Sequence, residues 1–228
     1  MLNYRVSAES LRPYVPSGTE LDLWNGAAYV SVVGFQFRRT KLAGIRVPFH
    51  TAFEEINLRF YVRRTEKGET RRAVSFIREL VPRRAIAVVA RVAYNEPYLT
   101  RRMSHEIHHT GELTDPPRVE YAWTSGAARC ALSVITDGPA RPLEPGSEEE
   151  FITQHYWGYT RQRNGGTVEY EVRHPPWNVW RARSAVLSGD LSDVYPSEFL
   201  ATLAGEPYSA FVADGSEVSV HTPVRIGT

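Results

Sequence analysis

A chain of 228 residues, 42% hydrophobic and 23% charged, is long enough to bury a core without disulfides or metals. Its 27 basic and 26 acidic side chains leave a formal net charge of +1, so no global field draws it to nucleic acid or to an anionic membrane. The single cysteine, Cys130, excludes an intramolecular disulfide, and no apolar run is long enough to cross a bilayer as a helix.

In chain order, Met1–Pro16 is interrupted by Arg5, Glu9 and Arg12, so it lacks the apolar core of a secretion signal. This predicts a cytoplasmic protein. Ser7–Tyr14 reads as a short helix capped by Ser7 and stopped by Pro16 and Gly18. Ala27–Arg38, Phe53–Arg63 and Arg72–Ile77 read as strands, with Lys41–Pro48 a loop and Glu66-Lys67-Gly68 a turn. Pro82 opens a helix whose segment Ala85–Ala93 is apolar almost all round, which suits a buried helix, and Pro97 ends it.

Met103–His109, Val119–Thr124 and Ala127–Ile135 follow as antiparallel strands, turned by Asp115-Pro116-Pro117 and Ser125-Gly126. Cys130 lies in the last of these and reads as a small buried hydrophobe. Asp137–Ser147 is a loop. Ser147 caps a helix to Gly158 with Glu150 as its capping-box partner. Asn164-Gly165-Gly166 joins strands at Tyr156–Arg163 and Thr167–Arg173, so both readings claim residues 156–158. Trp180–Ser188, a helix near Ser197–Leu203 and a strand near Glu217–His221 complete the chain.

Many short strands with few helices predict a mainly β protein with minor α, a barrel or sandwich. The loop at 137–147 is a possible domain break. One domain over 1–228 is preferred, because the apolar Ala127–Ile135 needs cover.

Chemistry-bearing residues fall in three places. His105-Glu106-Ile107-His108-His109 matches the H-E-x-x-H zinc pattern, which needs a helix to bring both imidazoles to one metal. On a strand His105 and His109 lie roughly 13 Å apart, too far to share one ion. The strand reading is preferred, so no metal site is expected; a zinc hydrolase through His105, Glu106 and His109 is the weaker alternative. Glu55, Asn57 and Arg59 alternate with Ile56, Leu58 and Phe60, so period two puts the polar set on one face. That face is either solvated or lines an interior, where a buried Glu beside an Arg asks for a reason. His174-Pro175-Pro176-Trp177 is a rigid turn with an aromatic plug, and His174 is a candidate ligand contact. Tyr156, Trp157 and Tyr159 read as packing. The chain has no Gly-rich phosphate loop, Gly-x-Ser-x-Gly elbow or cysteine cluster.

Taken in order, Leu11–Pro16 with Glu20-Leu21-Asp22, Trp24–Phe37, Phe53–Val62, Asn95-Glu96-Pro97-Tyr98, Ser147–Phe151 and His174–Trp177 carry a resemblance that spans nearly the whole chain. It resembles the YqjF-like family (the DUF2071 group), a branch of the acetoacetate decarboxylase-like superfamily. The resemblance implies an acetoacetate decarboxylase-like β-barrel with a few packed helices and a cavity. The decarboxylases use a lysine Schiff base, activated by desolvation and a neighbouring cation. Here Tyr98 stands at the matching place, and a phenol forms no imine. The only lysines, Lys41 and Lys67, belong to loop and turn segments. Glu55 matches the superfamily's site glutamate by its place in the strand.

The expectation is a small-molecule binder for an organic acid, or an enzyme of unassigned reaction, without Schiff-base chemistry and without a cofactor. Glu55 would act as acid or base, with Asn57, Arg59, Tyr98, His105 and His174 as ligand contacts. Arg59 would pair with a ligand carboxylate. The alternative is a non-catalytic structural or interaction protein with a filled barrel. The expected partner is a small molecule, with no nucleic acid and no membrane; a homo-oligomer is in keeping with the superfamily.

Overall fold

The structure, a computed structural model, describes residues 1–38, 41–42, 45–46, 52–82, 97–126, 128–162 and 165–226. Its strands are β1 (Leu2–Val6), β2 (Glu20–Leu21), β3 (Ala28–Arg38), β4 (Lys41–Leu42), β5 (Ile45–Arg46), β6 (Ala52–Glu66), β7 (Glu69–Val81), β8 (Tyr98–Thr100) and β9 (Met103–His108). They continue as β10 (Arg118–Ser125), β11 (Ala128–Thr136), β12 (Trp157–Arg161), β13 (Thr167–Arg173), β14 (Val179–Ser188), β15 (Ser209–Ala213), β16 (Ser219–Val220) and β17 (Val224–Ile226). The helices are α1 (Ala8–Leu11), α2 (Glu148–Thr153) and α3 (Ser197–Leu203), with a 3-10 turn at Arg12–Tyr14.

The mainly β expectation holds. Fifteen strands form one sheet, along the path β16-β13-β12-β7-β6-β3-β1-β15-β14-β11-β10-β9. Pairings are antiparallel except β7 with β8 and β7 with β12. Among the described residues the ladder does not close into a barrel, since β16 and β9 end it. Side chains meet instead where the sheet coils back on itself. A Cβ added to Gly34 on β3 would stand 2.7 Å from the Tyr121 ring on β10, so the two strands approach as only glycine allows. His105 on β9 also reaches Gln36 on β3 and Glu54 on β6.

The space inside the coil is occupied by apolar side chains. Ile56, Leu58 and Phe60 of β6 pack there with Tyr121, Trp123 and Phe199. Alternation along β6 therefore turns Glu55, Asn57 and Arg59 to the other face. A second cluster covers that face, built from Tyr29, Tyr61, Val74, Phe151 and Ile152.

The helix capped by Ser147 is shorter than the reading to Gly158. The Ser147 hydroxyl accepts from the Glu150 amide as expected, but α2 ends at Thr153. Trp157–Arg161 is drawn into pairing with β13 and β7, so tertiary pairing overrides local helix preference. The Lys41–Pro48 loop contains the two-stranded β4–β5 pair. The expected helix over Ala85–Ala93 lies outside the described residues. No helix among the described residues is long and apolar enough to cross a membrane.

Candidate functional site

The polar face of β6 runs as a layer beneath α2 and the residues that follow it. At one end, Glu55 is 2% exposed. Its Oε2 accepts from the Tyr98 hydroxyl at 3.2 Å, and its Oε1 accepts from the Asn57 amide at 3.2 Å. The fold brings Tyr98 there because β8 runs parallel to β7, with Tyr98 beside Glu79 and Glu79 beside Asn57. Phe53, Val81 and Phe37 pack around Tyr98 and dry this end. The Asn57 side-chain carbonyl has no hydrogen-bond partner, although the residue is buried.

Midway, Ser31 on β3 stands opposite Arg59. Its hydroxyl donates to Asn3 Oδ1 at 2.7 Å and lies 2.6 Å from the Tyr61 hydroxyl. Asn3 Nδ2 donates in turn to Ser209 at 2.9 Å. This chain links polar side chains of four adjacent strands, β6, β3, β1 and β15, and braces Tyr61.

Arg59 is the charged member of the layer. Its Nη2 donates to the Ile152 carbonyl at 3.1 Å and approaches the Met1 sulfur at 3.9 Å. Both acceptors are neutral. No carboxylate of the described residues pairs with Arg59, and its buried Nε has no acceptor. Its guanidinium carbon lies 5.7 Å from the Tyr61 ring centre.

Beyond Arg59 stands His155, a residue that sequence reasoning did not single out. Its ring packs on Tyr61 at 4.8 Å and edge-on to Phe151 at 5.6 Å. Asp22 Oδ2 is 3.8 Å from its Nε2, and Arg72 Nε donates to the same oxygen at 2.7 Å. Burial, reinforced by the Arg72 and Arg59 charges, pushes the His155 pKa down to about 4. Burial alone would raise the Asp22 pKa; the neighbouring imidazole and the Arg72 bond outweigh it and hold it below the ordinary value. No local motif marks His155, whose neighbours Asp22, Tyr61 and Arg72 come from distant sequence.

The expected site residues divide. Glu55, Asn57, Arg59 and Tyr98 share the layer, with Glu55 and Arg59 separated by roughly 13 Å of strand. His105 does not join them. Its Nδ1 lies 2.7 Å from Glu54 Oε1 and its Nε2 lies 2.6 Å from Gln36 Nε2, on the core side of β6. His174 is elsewhere again, stacked on Trp177 at 4.2 Å and facing Tyr156 at 5.0 Å. The H-E-x-x-H residues lie on and just past strand β9, where Glu106 bonds His108 and His109 approaches Asp115 at 3.5 Å. That extended backbone does not present His105 and His109 to one ion. Two surface clefts, of about 230 and 480 Å³, lie beside α2 around Arg181, and neither is lined by Glu55, Asn57 or Arg59.

A family model, DUF2071, described as an uncharacterized conserved protein, matches residues 1–217. The uncharacterized protein YqjF of Bacillus subtilis (strain 168) is 28% identical over 194 residues, covering 85% of this chain and 76% of its own. Among solved structures, an acetoacetate decarboxylase-like enzyme from Sphingomonas wittichii RW1 gives a TM-score of 0.60 at 14% identity, over 99% of this chain and 89% of that one. An acetoacetate decarboxylase from Legionella pneumophila gives 0.59 at 11% identity, over 99% and 83%. The enduracididine biosynthesis enzyme MppR complexed with pyruvate gives 0.58 at 15% identity, over 95% and 86%. At such identities the likeness establishes the fold, which is acetoacetate decarboxylase-like.

Proposed function

The chain belongs to the DUF2071 family, matched over residues 1–217, and on that premise we propose that it binds a small organic acid on the polar face of β6, without imine chemistry. The observation that carries the reading is Arg59, a half-buried cation whose partners are a carbonyl and a thioether. Charges taken out of water are paired in folded proteins, because an unpaired one costs several kcal/mol. A ligand carboxylate supplies the missing counter-charge, and guanidinium geometry suits two parallel hydrogen bonds to it. The Glu55–Asn57–Tyr98 cluster lies at the far end of the same layer, roughly 13 Å along the strand, and meets polar atoms only of acids longer than three carbons. Glu55 is the acid or base there if a reaction occurs.

Lysine chemistry is disfavoured by position. Lys67 sits in the β6–β7 turn, twelve residues from Glu55 and so roughly 40 Å along the strand. Tyr98 occupies the place beside Glu55. Lys41 lies in β4.

Pyruvate, the ligand named for one structural neighbour, and propionate are suitable probes. Calorimetric titration should detect binding in the wild type and at least a tenfold loss in Arg59→Met. Borohydride added with pyruvate should leave the mass of the protein unchanged. Equal binding by Arg59→Met, or a reduced pyruvate adduct on any lysine, would overturn the reading. A second reading, an interaction protein with a filled interior, draws on the apolar packing of Ile56, Leu58 and Phe60 inside the coil. Failure of the wild type to bind any acid would favour it.

A further inference from the structure

The polar face does not end at Arg59. Arg59 and His155 both lie within 6 Å of the Tyr61 ring, the first through its guanidinium carbon and the second through its imidazole. His155 is 6% exposed, and neither of its ring nitrogens has a hydrogen-bond partner. Native proteins seldom leave buried polar atoms unpaired, and an imidazole whose Nε2 has only a carboxylate at 3.8 Å and whose Nδ1 has no partner calls for an explanation. Packing alone does not supply one, since a phenylalanine would fill the space between Tyr61 and Phe151 without stranding a polar atom at the Nδ1 position.

The surroundings assign the ring its chemistry. Asp22 Oδ2, held by Arg72, lies nearest to Nε2, at 3.8 Å. That carboxylate favours the tautomer with its proton on Nε2, which leaves Nδ1 as an acceptor. Burial and the two guanidinium groups keep the ring neutral at ordinary pH. Around one tyrosine ring there are thus a cationic donor, Arg59 Nε, without an acceptor and a neutral acceptor, His155 Nδ1, without a donor.

We infer that His155 is a second anchor of the acid site, and that the ligand class is a short hydroxy acid, its carboxylate on Arg59 and its hydroxyl donating to His155 Nδ1. The inference rests on the Arg59 reading above. A 2-oxo acid presents only acceptor oxygens, which serve the guanidinium and leave the imidazole unmet. A hydroxyl beside the carboxylate serves both. Asp22 is a positioning residue that holds the imidazole in the accepting tautomer.

Lactate and propionate test this directly, because they share chain length and charge and differ by one hydroxyl. In calorimetric titrations of the intact protein, lactate should bind at least tenfold more tightly than propionate. His155→Phe should bring lactate down to the level of propionate, and His155→Asn, which restores an acceptor oxygen, should recover part of the difference. Asp22→Asn provides a second route if His155→Phe does not fold, and should also erode the lactate preference. In the wild type, lactate but not propionate should shift the imidazole nitrogen resonances of His155. Equal affinity for the two acids, with Arg59→Met losing both, would overturn the role of His155 while the acid site stands. A lactate preference that persists in His155→Phe and Asp22→Asn would overturn it as well. A wild type that binds neither acid would overturn both readings together.

Discussion

Glu54 and Glu55 are neighbours in the chain and face opposite sides of β6. Glu54 meets the His105 imidazole at 2.7 Å on the core side, where the coiled sheet returns on itself. Glu55 takes the Tyr98 hydroxyl at 3.2 Å on the polar side. Period-two alternation is sufficient to separate them. One carboxyl group fastens the fold while the next belongs to the candidate site, so the two are experimentally separable.

His105→Ala should therefore loosen β9 and leave acid binding intact. β9 is the last strand on its side of the sheet, and its residues are mostly exposed. Loss of the bonds to Glu54 and Gln36 should cost about 1 kcal/mol. Amide exchange over Met103–His108 should quicken severalfold, while exchange in β6 and the pyruvate titration stay unchanged. A matching loss of acid binding would place His105 in the site after all.

Gly34→Ala tests the close approach of β3 and β10. The new methyl group would meet the Tyr121 ring at 2.7 Å, well inside contact distance. Tyr121 is 4% exposed in the main core, so the ring has little room to retreat. Overpacking of this kind costs about 1–3 kcal/mol, and thermal melts should fall by several degrees. Pairing it with Tyr121→Leu should recover part of the loss.

Much of this arrangement was legible in local pattern, and the remainder depends on contacts that no local pattern carries. Alternation over Phe53–Val62 separates the two faces of β6 correctly, and the Ser147 cap starts α2 where the side-chain chemistry demands. The end of that helix was not legible, because Trp157–Arg161 is claimed by strand partners far off in sequence. The Glu55–Tyr98 contact spans 43 residues and depends on the parallel β7–β8 pairing. His155 carries no signal at all. Its neighbours Asp22, Tyr61 and Arg72 are gathered by the sheet, and the ring becomes notable only because it is buried. His105 and His174 were grouped with Glu55 by chemistry alone, and the fold sends each to a different surface.

The same burial predicts a pH dependence of stability. His155 titrates near pH 4 in the folded protein, against about 6.5 when unfolded. Between those values the unfolded chain binds the extra proton, so stability falls as pH drops from about 6.5 toward 4, by roughly 3 kcal/mol at most. Asp22, whose folded pKa lies below its ordinary value, adds to the loss at still lower pH. The charges nearest the ring are Asp22, Arg72 and Arg59, and the two arginines deepen the shift. Urea midpoints for the wild type should decline between pH 7 and pH 4.5. In His155→Phe that decline should be shallower. Identical pH profiles would show that the imidazole is hydrated in solution.

At the Arg64 end of β6, Glu169 gathers a second buried charge cluster. It is 7% exposed. It accepts from Arg71 Nη1 at 2.8 Å, from the Tyr159 hydroxyl at 2.6 Å and from Arg64 Nη1 at 3.4 Å. Arg71 also lies over the Trp157 ring at 4.4 Å, which fixes its guanidinium. Removing the carboxylate leaves Arg64 and Arg71, each only about one-fifth exposed, with the more exposed Glu66 and Glu69 as their remaining carboxylate partners. The full cost of breaking a buried pair is about 3–5 kcal/mol, and the partial exposure of both arginines reduces it to roughly 2 kcal/mol. Glu169→Gln should lower the urea midpoint accordingly. It should also bring the Tyr159 pKa, raised by burial and then by Glu169, back toward the ordinary phenol range in a spectrophotometric titration. Replacing both members, as Arg71→Met with Glu169→Leu, removes charge and counter-charge together and should cost less than the sum of the single changes. Strict additivity would mean that water, not Arg71, neutralises Glu169 in the native protein.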